Sequence, residues 1–357
     1  MSYQLSAVAH AQTVSETACY LTINSAFSPG DGVTKAPVFI TINDSSGSPI
    51  SGKQVTVLTF RGTGSTAVDQ PSSLTDASGQ CTAFIHSSVT GSDSVSAVCD
   101  GLAITRGVNR DGARGIWHFD NDCSDASGGG YNGVNSGGSW VSGRFGSALM
   151  YDGNTSYAYC DSSTIIDSAV TVGAWVYINN YPPSGTFDAL IAGKKGAWWI
   201  TVWSDSNSNI GVFWIQGMSA YVICGADPLP LNQWFHIAGT YKDGDIRAYL
   251  NGEPVGQDVP AGLLGDPGFP MQFSNSYSPA VDFSGALDGI VDEAVVYEKA
   301  LTPEEIRDVY TGQCRITFTG SMNSLRYVST PIASTCGDER ILNLVATGMN
   351  SKCFEHG

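Results

Sequence analysis

Four groups of residues in this chain have types and spacings that could do chemistry. The richest in oxygen is the run from Asp120 to Gly133, Asp-Asn-Asp-Cys-Ser-Asp-Ala-Ser-Gly-Gly-Gly-Tyr-Asn-Gly. A hard cation takes about six to eight oxygens from carboxylates, amides and carbonyls, and glycines let a backbone turn its carbonyls inward. The same run also reads as a plain turn whose Asp and Asn side chains bond their own backbone. The second group is the adjacent pair Asp292 and Glu293. Paired carboxylates hydrolyse glycosides, and retaining enzymes hold them about 5 to 5.5 Å apart on one sugar. Neighbours along a strand point to opposite faces, which speaks against that use. The third group, Trp198, Trp199, Trp203 and Trp214, reads either as a stacking platform for carbohydrate or as core filling. Because Trp198 and Trp199 alternate, some of these rings must face outward. The five histidines, at 10, 86, 118, 236 and 356, show no ligand spacing and read as structural.

The fourth group is the cysteines. There are nine, at 19, 81, 99, 123, 160, 224, 314, 336 and 353, and no Cys-x-x-Cys occurs. Zinc ribbons and thioredoxin-type sites are therefore unsupported. Centring a hairpin turn on Val89 to Gly91 places Cys81 opposite Cys99, Ala83 opposite Ala97 and Ile85 opposite Val95. All six share one apolar face. Cys81 and Cys99 are thus a disulfide candidate that would stabilise by roughly 3 kcal/mol; two buried thiols are the alternative.

The elements that must position these groups are strands. The chain has 357 residues, enough for two or three domains. Forty-two glycines with only 14% charged residues fit turn-rich β structure. A formal charge of −16 argues against DNA or RNA as a partner, since phosphate-backbone recognition needs clustered Lys and Arg. No apolar run reaches the length of a membrane span. The start lacks a basic region and a long apolar core, so it does not read as a secretory signal.

Residues 1–20 read as a polar arm. Residues 21–102 show short alternating strands such as Val38-Phe-Ile-Thr-Ile and Gln54-Val-Thr-Val-Leu-Thr-Phe, separated by Asp-, Ser- and Gly-rich turns. Residues 103–115, with Arg106, Arg110 and Arg114, read as a solvated linker, or else as a contact for a partner's carboxylates. Residues 116–313 alternate again, with hairpin signals at Asp243-Gly244 and Asn251-Gly252. One short helix is expected after Thr302, with Pro303 at its first position and Gly312 at its end. Residues 314–357 are too short for a core of their own and read as a small β-rich tail.

ITINDSSGSPISGKQVTVLTF (40–60) followed by TDASGQCTAFIHSSVTGSDSVSAVCDG (75–101) resembles bacterial Ig-like domains of the invasin and intimin type. GIWHFDNDCSDASGGGYNGV (115–134), GRFGSALMYDGNTSYAYC (143–160), TVGAWVYI (171–178), QWFHIAGTYKDGDIRAYLNGEPV (233–255) and GIVDEAVVYEKALTPEEI (289–306) resemble, in order, laminin-G-like, concanavalin-A-like jelly rolls. The resemblances imply an all-β chain: an Ig-like sandwich, a jelly-roll sandwich and the tail. By the same likeness calcium is implied, with Asp125, Asn132 and Asp292 as its ligands. The function they imply is that of a non-enzymatic protein on a virion surface or outside the cell, most readily a bacteriophage head decoration, collar or fibre. Its expected partners are other virion or surface proteins and a host-surface glycan, in an oligomer or larger assembly. A secreted glycan-binding adhesin is the alternative reading and a glycosidase the third.

Overall fold

The computed structural model describes residues 13–60, 66–160, 166, 168–194, 196–216, 220–225, 227–259, 264–265, 268–274 and 285–320. Most of the N-terminal arm, and Cys336 and Cys353 with the rest of the tail beyond 320, lie outside these residues. The first strands are β1 (Tyr20–Ile23), β2 (Phe27–Pro29), β3 (Ala36–Thr41), β4 (Val55–Phe60), β5 (Thr66–Asp69), β6 (Gln80–Ser87), β7 (Gly91–Cys99), β8 (Leu102–Ile104) and β9 (Gly107–Asn109). Then come β10 (Ala113–Trp117), β11 (Val134–Ser136), β12 (Ser139–Ser142), β13 (Ser147–Asp152), β14 (Tyr157–Cys160), β15 (Ala169–Asn180), β16 (Thr186–Lys194), β17 (Trp198–Ser204), β18 (Asn209–Ile215) and β19 (Ala220–Ile223). The last are β20 (Trp234–Lys242), β21 (Asp245–Leu250), β22 (Glu253–Asp258), β23 (Met271–Ser274), β24 (Asp288–Tyr297), α1 (Pro303–Thr311) and β25 (Cys314–Thr319).

The all-β expectation holds as two sandwiches. The first packs the sheet β5-β6-β3-β1-β9 on the sheet β2-β25-β7-β4, with β8 beside β7. Leu21, Val38, Ile40, Val57, Ala83, Ile85 and Ala97 fill the space between. The second packs the sheet β12-β13-β24-β15-β20-β21-β22 on β11-β14-β23-β16-β17-β18-β19, and β10 joins the first of these along β24. Its core holds Val172, Ala174, Val176, Trp198, Ile200, Phe213, Ile237 and Phe273. Among the described residues no helix is long and apolar enough to cross a membrane.

Three expectations need correction. First, β6 and β7 do not form a hairpin. Strand β6 already has β3 and β5 on its two edges, with Cys81 opposite Ile40, while β7 pairs with β4 in the other sheet, with Cys99 opposite Val55. The faces are those that alternation predicts: Cys81, Ala83, Ile85, Val95, Ala97 and Cys99 are all buried. Alternation reports which way a side chain points but not which strand it faces. Cys81 and Cys99 are free thiols on opposite walls of one core, and burial holds each up at about 11.

Second, residues 103–115 are not a linker. They contain most of β8, all of β9 and the start of β10, and β9 runs parallel to β1 with Leu21 opposite Gly107. Third, the tail does not begin at 314. Strand β25 pairs antiparallel with β7 and parallel with β2. Its Cys314, Ile316 and Phe318 are buried in the first sandwich. The second sandwich is therefore inserted between β9 and β25 of the first.

The helix forms as expected. Thr302 accepts a hydrogen bond from the Glu305 backbone N–H, the Glu305 side chain accepts one from the Thr302 backbone N–H, and Gly312 ends the helix in the left-handed region. Exposed Thr302→Ala is expected to cost about 1 kcal/mol, visible as a lower melting temperature. No change in melting would mean that α1 is held by packing alone.

Candidate functional site

Strands β17, β18 and β19 turn one face inward and one outward. Trp198, Ile200 and Val202 point into the core, as do Phe213, Ile215 and Val222. Trp199, Trp203, Trp214 and Tyr221 therefore stand on the outer face. Trp199 and Trp214 are cross-strand partners, as are Trp214 and Tyr221. The Trp199 and Trp214 rings are stacked, 6.0 Å apart at 17°. Trp203 and Trp214 are 6.3 Å apart at 13°, and Tyr221 lies 4.8 Å from Trp214 and 6.4 Å from Trp203. Trp199 is buried at the back of this row, Trp203 and Trp214 are half-buried, and Tyr221 is 47% exposed. Some of the rings do face outward, as the alternation of Trp198 and Trp199 requires. The sequence alone misses Tyr221, whose signal is its alternation with Ala220 and Val222.

The acidic pair lies elsewhere, where the two sandwiches meet. Asp292 is fully buried and accepts from the Phe145 and Glu293 backbone N–H groups at 2.9 and 2.8 Å. Glu293 has φ of 49°, a left-handed value that is costly for a side chain. The β15–β24 register slips there, passing from Gly173 opposite Val295 to Trp175 opposite Asp292. This bulge breaks the expected alternation, so both carboxylates feel one guanidinium, that of Arg106. Arg106, between β8 and β9, is buried, and it donates to Glu293, to Asp120 at 3.2 Å and to the Thr17 carbonyl at 2.9 Å. His118 lies 3.0 Å from Glu293.

Burial raises the Asp292 carboxyl well above the usual range, and the Glu293 charge adds to this. Burial would raise Glu293 too, but the charges of Arg106 and His118 outweigh it and hold Glu293 down. Asp292 is enclosed at the junction, whereas Glu293 is half-buried and held there by Arg106 and His118.

The loop at 120–133 bonds itself. Asp125 accepts from the backbone N–H groups of Ile116, Ser127 and Tyr131 and from the Ser127 hydroxyl, and its own N–H donates to Asn132 Oδ1 at 2.8 Å. Asp125 and Asn132 are therefore together, but Asp292 is not with them. Trp117 of β10 pairs with Ala294 on one edge and with Asp125 on the other, so β10 stands between. Among the described residues no three His, Cys, Asp or Glu side chains are placed to hold a metal ion. The residues implied as calcium ligands do not fit one cation.

A second aromatic group seats α1 on the outer face of the other sheet. Trp175 stacks on Tyr310 at 5.2 Å, Arg144 lies 4.7 Å over Trp175, and His236 is wedged 5.8 Å from Trp175 and 6.0 Å from Tyr310. His236 is fully buried, its ring nitrogens have no hydrogen-bond partner among the described residues, and burial pulls its pKa down to about 3. It stays neutral in the fold, whereas an unfolded histidine takes up a proton below about pH 6.5. Its contribution to stability is thus lost as pH falls from about 6.5 toward 3, by about 1.4 kcal/mol per unit. Asp292, with a raised pKa, works in the opposite direction. The stability of His236→Phe relative to the parent isolates the histidine and should improve steadily from pH 7 to pH 5. A difference independent of pH would contradict the assignment.

Residues 152–307 match the family model described as the concanavalin A-like lectin/glucanases superfamily, and residues 19–109 match that of the bacterial Ig-like domain (group 1). No curated protein matches the chain. Among solved structures, domain 4 of AbnA, a GH43 extracellular arabinanase from Geobacillus stearothermophilus in complex with arabinotriose, is 20% identical with a TM-score of 0.43, covering 56% of this chain and 98% of that one. The binding domain of Paraclostridial Mosquitocidal Protein 1 is 16% identical with a TM-score of 0.45, covering 56% of this chain and 52% of that one. The binding domain of Botulinum Neurotoxin DC in complex with SialylT is 15% identical with a TM-score of 0.41, covering 57% and 52%. Likenesses at these scores carry no functional inference. The family matches and the strand topology agree that this chain carries a bacterial Ig-like domain followed by a concanavalin-A-like domain, in that order.

Proposed function

We propose that this chain is a non-enzymatic surface protein whose concanavalin-A-like domain binds glycan through the aromatic row of Trp199, Trp203, Trp214 and Tyr221. That row is the observation that carries the reading. Aromatic rings left on an outer sheet face, packed on one another and partly exposed, offer apolar contact to the C–H faces of sugars. Of the acidic pair that would suggest hydrolysis, Asp292 is buried and Glu293 is tied up by Arg106 at the domain junction. The setting we propose is the surface of a bacteriophage particle, as a head decoration, collar or fibre component. In support, the Ig-like domain exposes Phe60 at 62% and Phe27 at 54%, apolar area that another virion protein would cover.

The test is co-sedimentation of the protein with a panel of insoluble polysaccharides, with reducing-sugar release assayed in parallel. Retention on at least one polysaccharide without release is expected. Release of sugar would overturn the non-enzymatic reading, and no retention on any would overturn glycan binding. Immunogold labelling should mark particles; labelling of bacterial envelopes instead would make the protein an adhesin.

A further inference from the structure

We propose that the junction of the two sandwiches holds a second ligand site, separate from the aromatic row, for a small uncharged polyol such as a free monosaccharide. A cavity of about 300 Å³ lies there, with walls from both sandwiches and from α1. Val108 of β9, Val295 of β24 and Val309 of α1 line it, beside Ile116 and Leu301. These side chains belong to the small apolar cluster that joins the two domains. Close-packed interiors keep few voids larger than a water, whereas small-molecule sites begin at about 300 Å³ and favour domain interfaces. Thr302 and Glu304 line the cavity and are exposed, so it opens at the start of α1. The aromatic row stands on the other sheet of the second sandwich, across its core.

Two guanidiniums line the cavity, those of Arg106 and Arg315. They stand on neighbouring segments, since Arg106 pairs with Gln313, two residues before Arg315. Arg106 is 3% exposed, and its charge is met by Glu293 and Asp120. Arg315 donates to Asp308 at 2.8 Å. Each nonetheless keeps a buried Nε–H with no hydrogen-bond partner among the described residues. A buried donor left unpaired is costly, and a ligand oxygen in the cavity would pair it.

The walls select the charge of the ligand. An anion would face the carboxylates of Glu293, Glu304, Glu305 and Asp308, and a cation would face the two guanidiniums. An uncharged ligand meets neither cost. A hydroxyl can accept from an Nε–H while donating to the carboxylate beside it, whereas a carbonyl can only accept. Several hydroxyls on a C–H skeleton that lies against the three valines describe a polyol. The volume is that of about ten waters at liquid density, enough for one sugar ring. With about a dozen heavy atoms, such a ligand should bind at about millimolar strength, too weakly to hold an immobilised glycan.

Saturation-transfer NMR on the whole chain carrying Trp203→Ala/Tyr221→Ala, which silences the aromatic row, tests this with glucose, galactose, mannose and mannitol. At least one of the four is expected to bind saturably. Arg315→Met removes one donor and should weaken that binding by about tenfold. Val309→Phe fills the cavity, leaves every charge in place and should abolish it while the protein still melts cooperatively. The charged analogues glucuronate and glucosamine should bind about tenfold more weakly than the best neutral compound. Saturable binding of none of the four would overturn the proposal and leave a cavity that holds water only. Binding indifferent to Val309→Phe or to Arg315→Met would overturn it too, as would a charged analogue that binds as tightly as the neutral ones.

Discussion

Phe318→Ala is expected to destabilise the Ig-like domain by about 3 to 5 kcal/mol, although the residue follows the whole concanavalin-A-like domain in sequence. Phe318 is 1% exposed and packs in the first core with Ile316 and Cys314. Truncating it removes an aromatic side chain from a closed core and leaves a cavity. Whole domains are stable by only about 5 to 15 kcal/mol, so the loss should be plain in a melting curve. Ile316→Ala should act similarly, at about 2 to 5 kcal/mol. Were residues 314–319 a separate tail, neither change would move the unfolding of the first sandwich, and an unchanged transition would refute the insertion topology.

Arg106→Met should cost about 3 kcal/mol near neutral pH, because it leaves the half-buried Glu293 and Asp120 without their cation. The effect should shrink as pH falls and these carboxyls take up protons. Adding Glu293→Gln to Arg106→Met should recover part of the loss, since the charge and its partner then go together. Both sandwiches should feel the single change, as Arg106 leaves the first and grips Asp120 and Glu293 of the second. A loss that is independent of pH and not relieved by the second substitution would mean that Arg106 acts by packing on Tyr20 and Phe145 and not through its charge.

These two residues also show what the sequence conveys and what it withholds. Alternation assigned the faces of β6 and β7 correctly and set Trp198 and Trp199 of β17 on opposite faces, because the period of two is a local property of the strand. It could not say that the link from Ser87 to Gly91 crosses between sheets, since a strand's partners depend on which edges are already taken. The strand at Arg315-Ile-Thr-Phe-Thr was legible, but its docking on β7, about 220 residues earlier, left no local mark. Arg106 looked like part of a solvated basic cluster because its carboxylate partners are distant in sequence. The bulge at Glu293 defeated alternation where it mattered most, at a site of positive φ carried by no glycine. In the aromatic row the tryptophans were visible, whereas their contacts with one another and with Tyr221 exist only once the sheet is formed.

The central claim is that the exposed rings bind sugar, and a glycan array probed with the parent and with Trp203→Ala/Tyr221→Ala tests it most directly. The parent should light a coherent set of glycans. The double variant, still melting cooperatively with its two sandwiches intact, should lose that whole set. A signal that survives unchanged in the variant, or a parent that binds nothing on the array, would contradict the account.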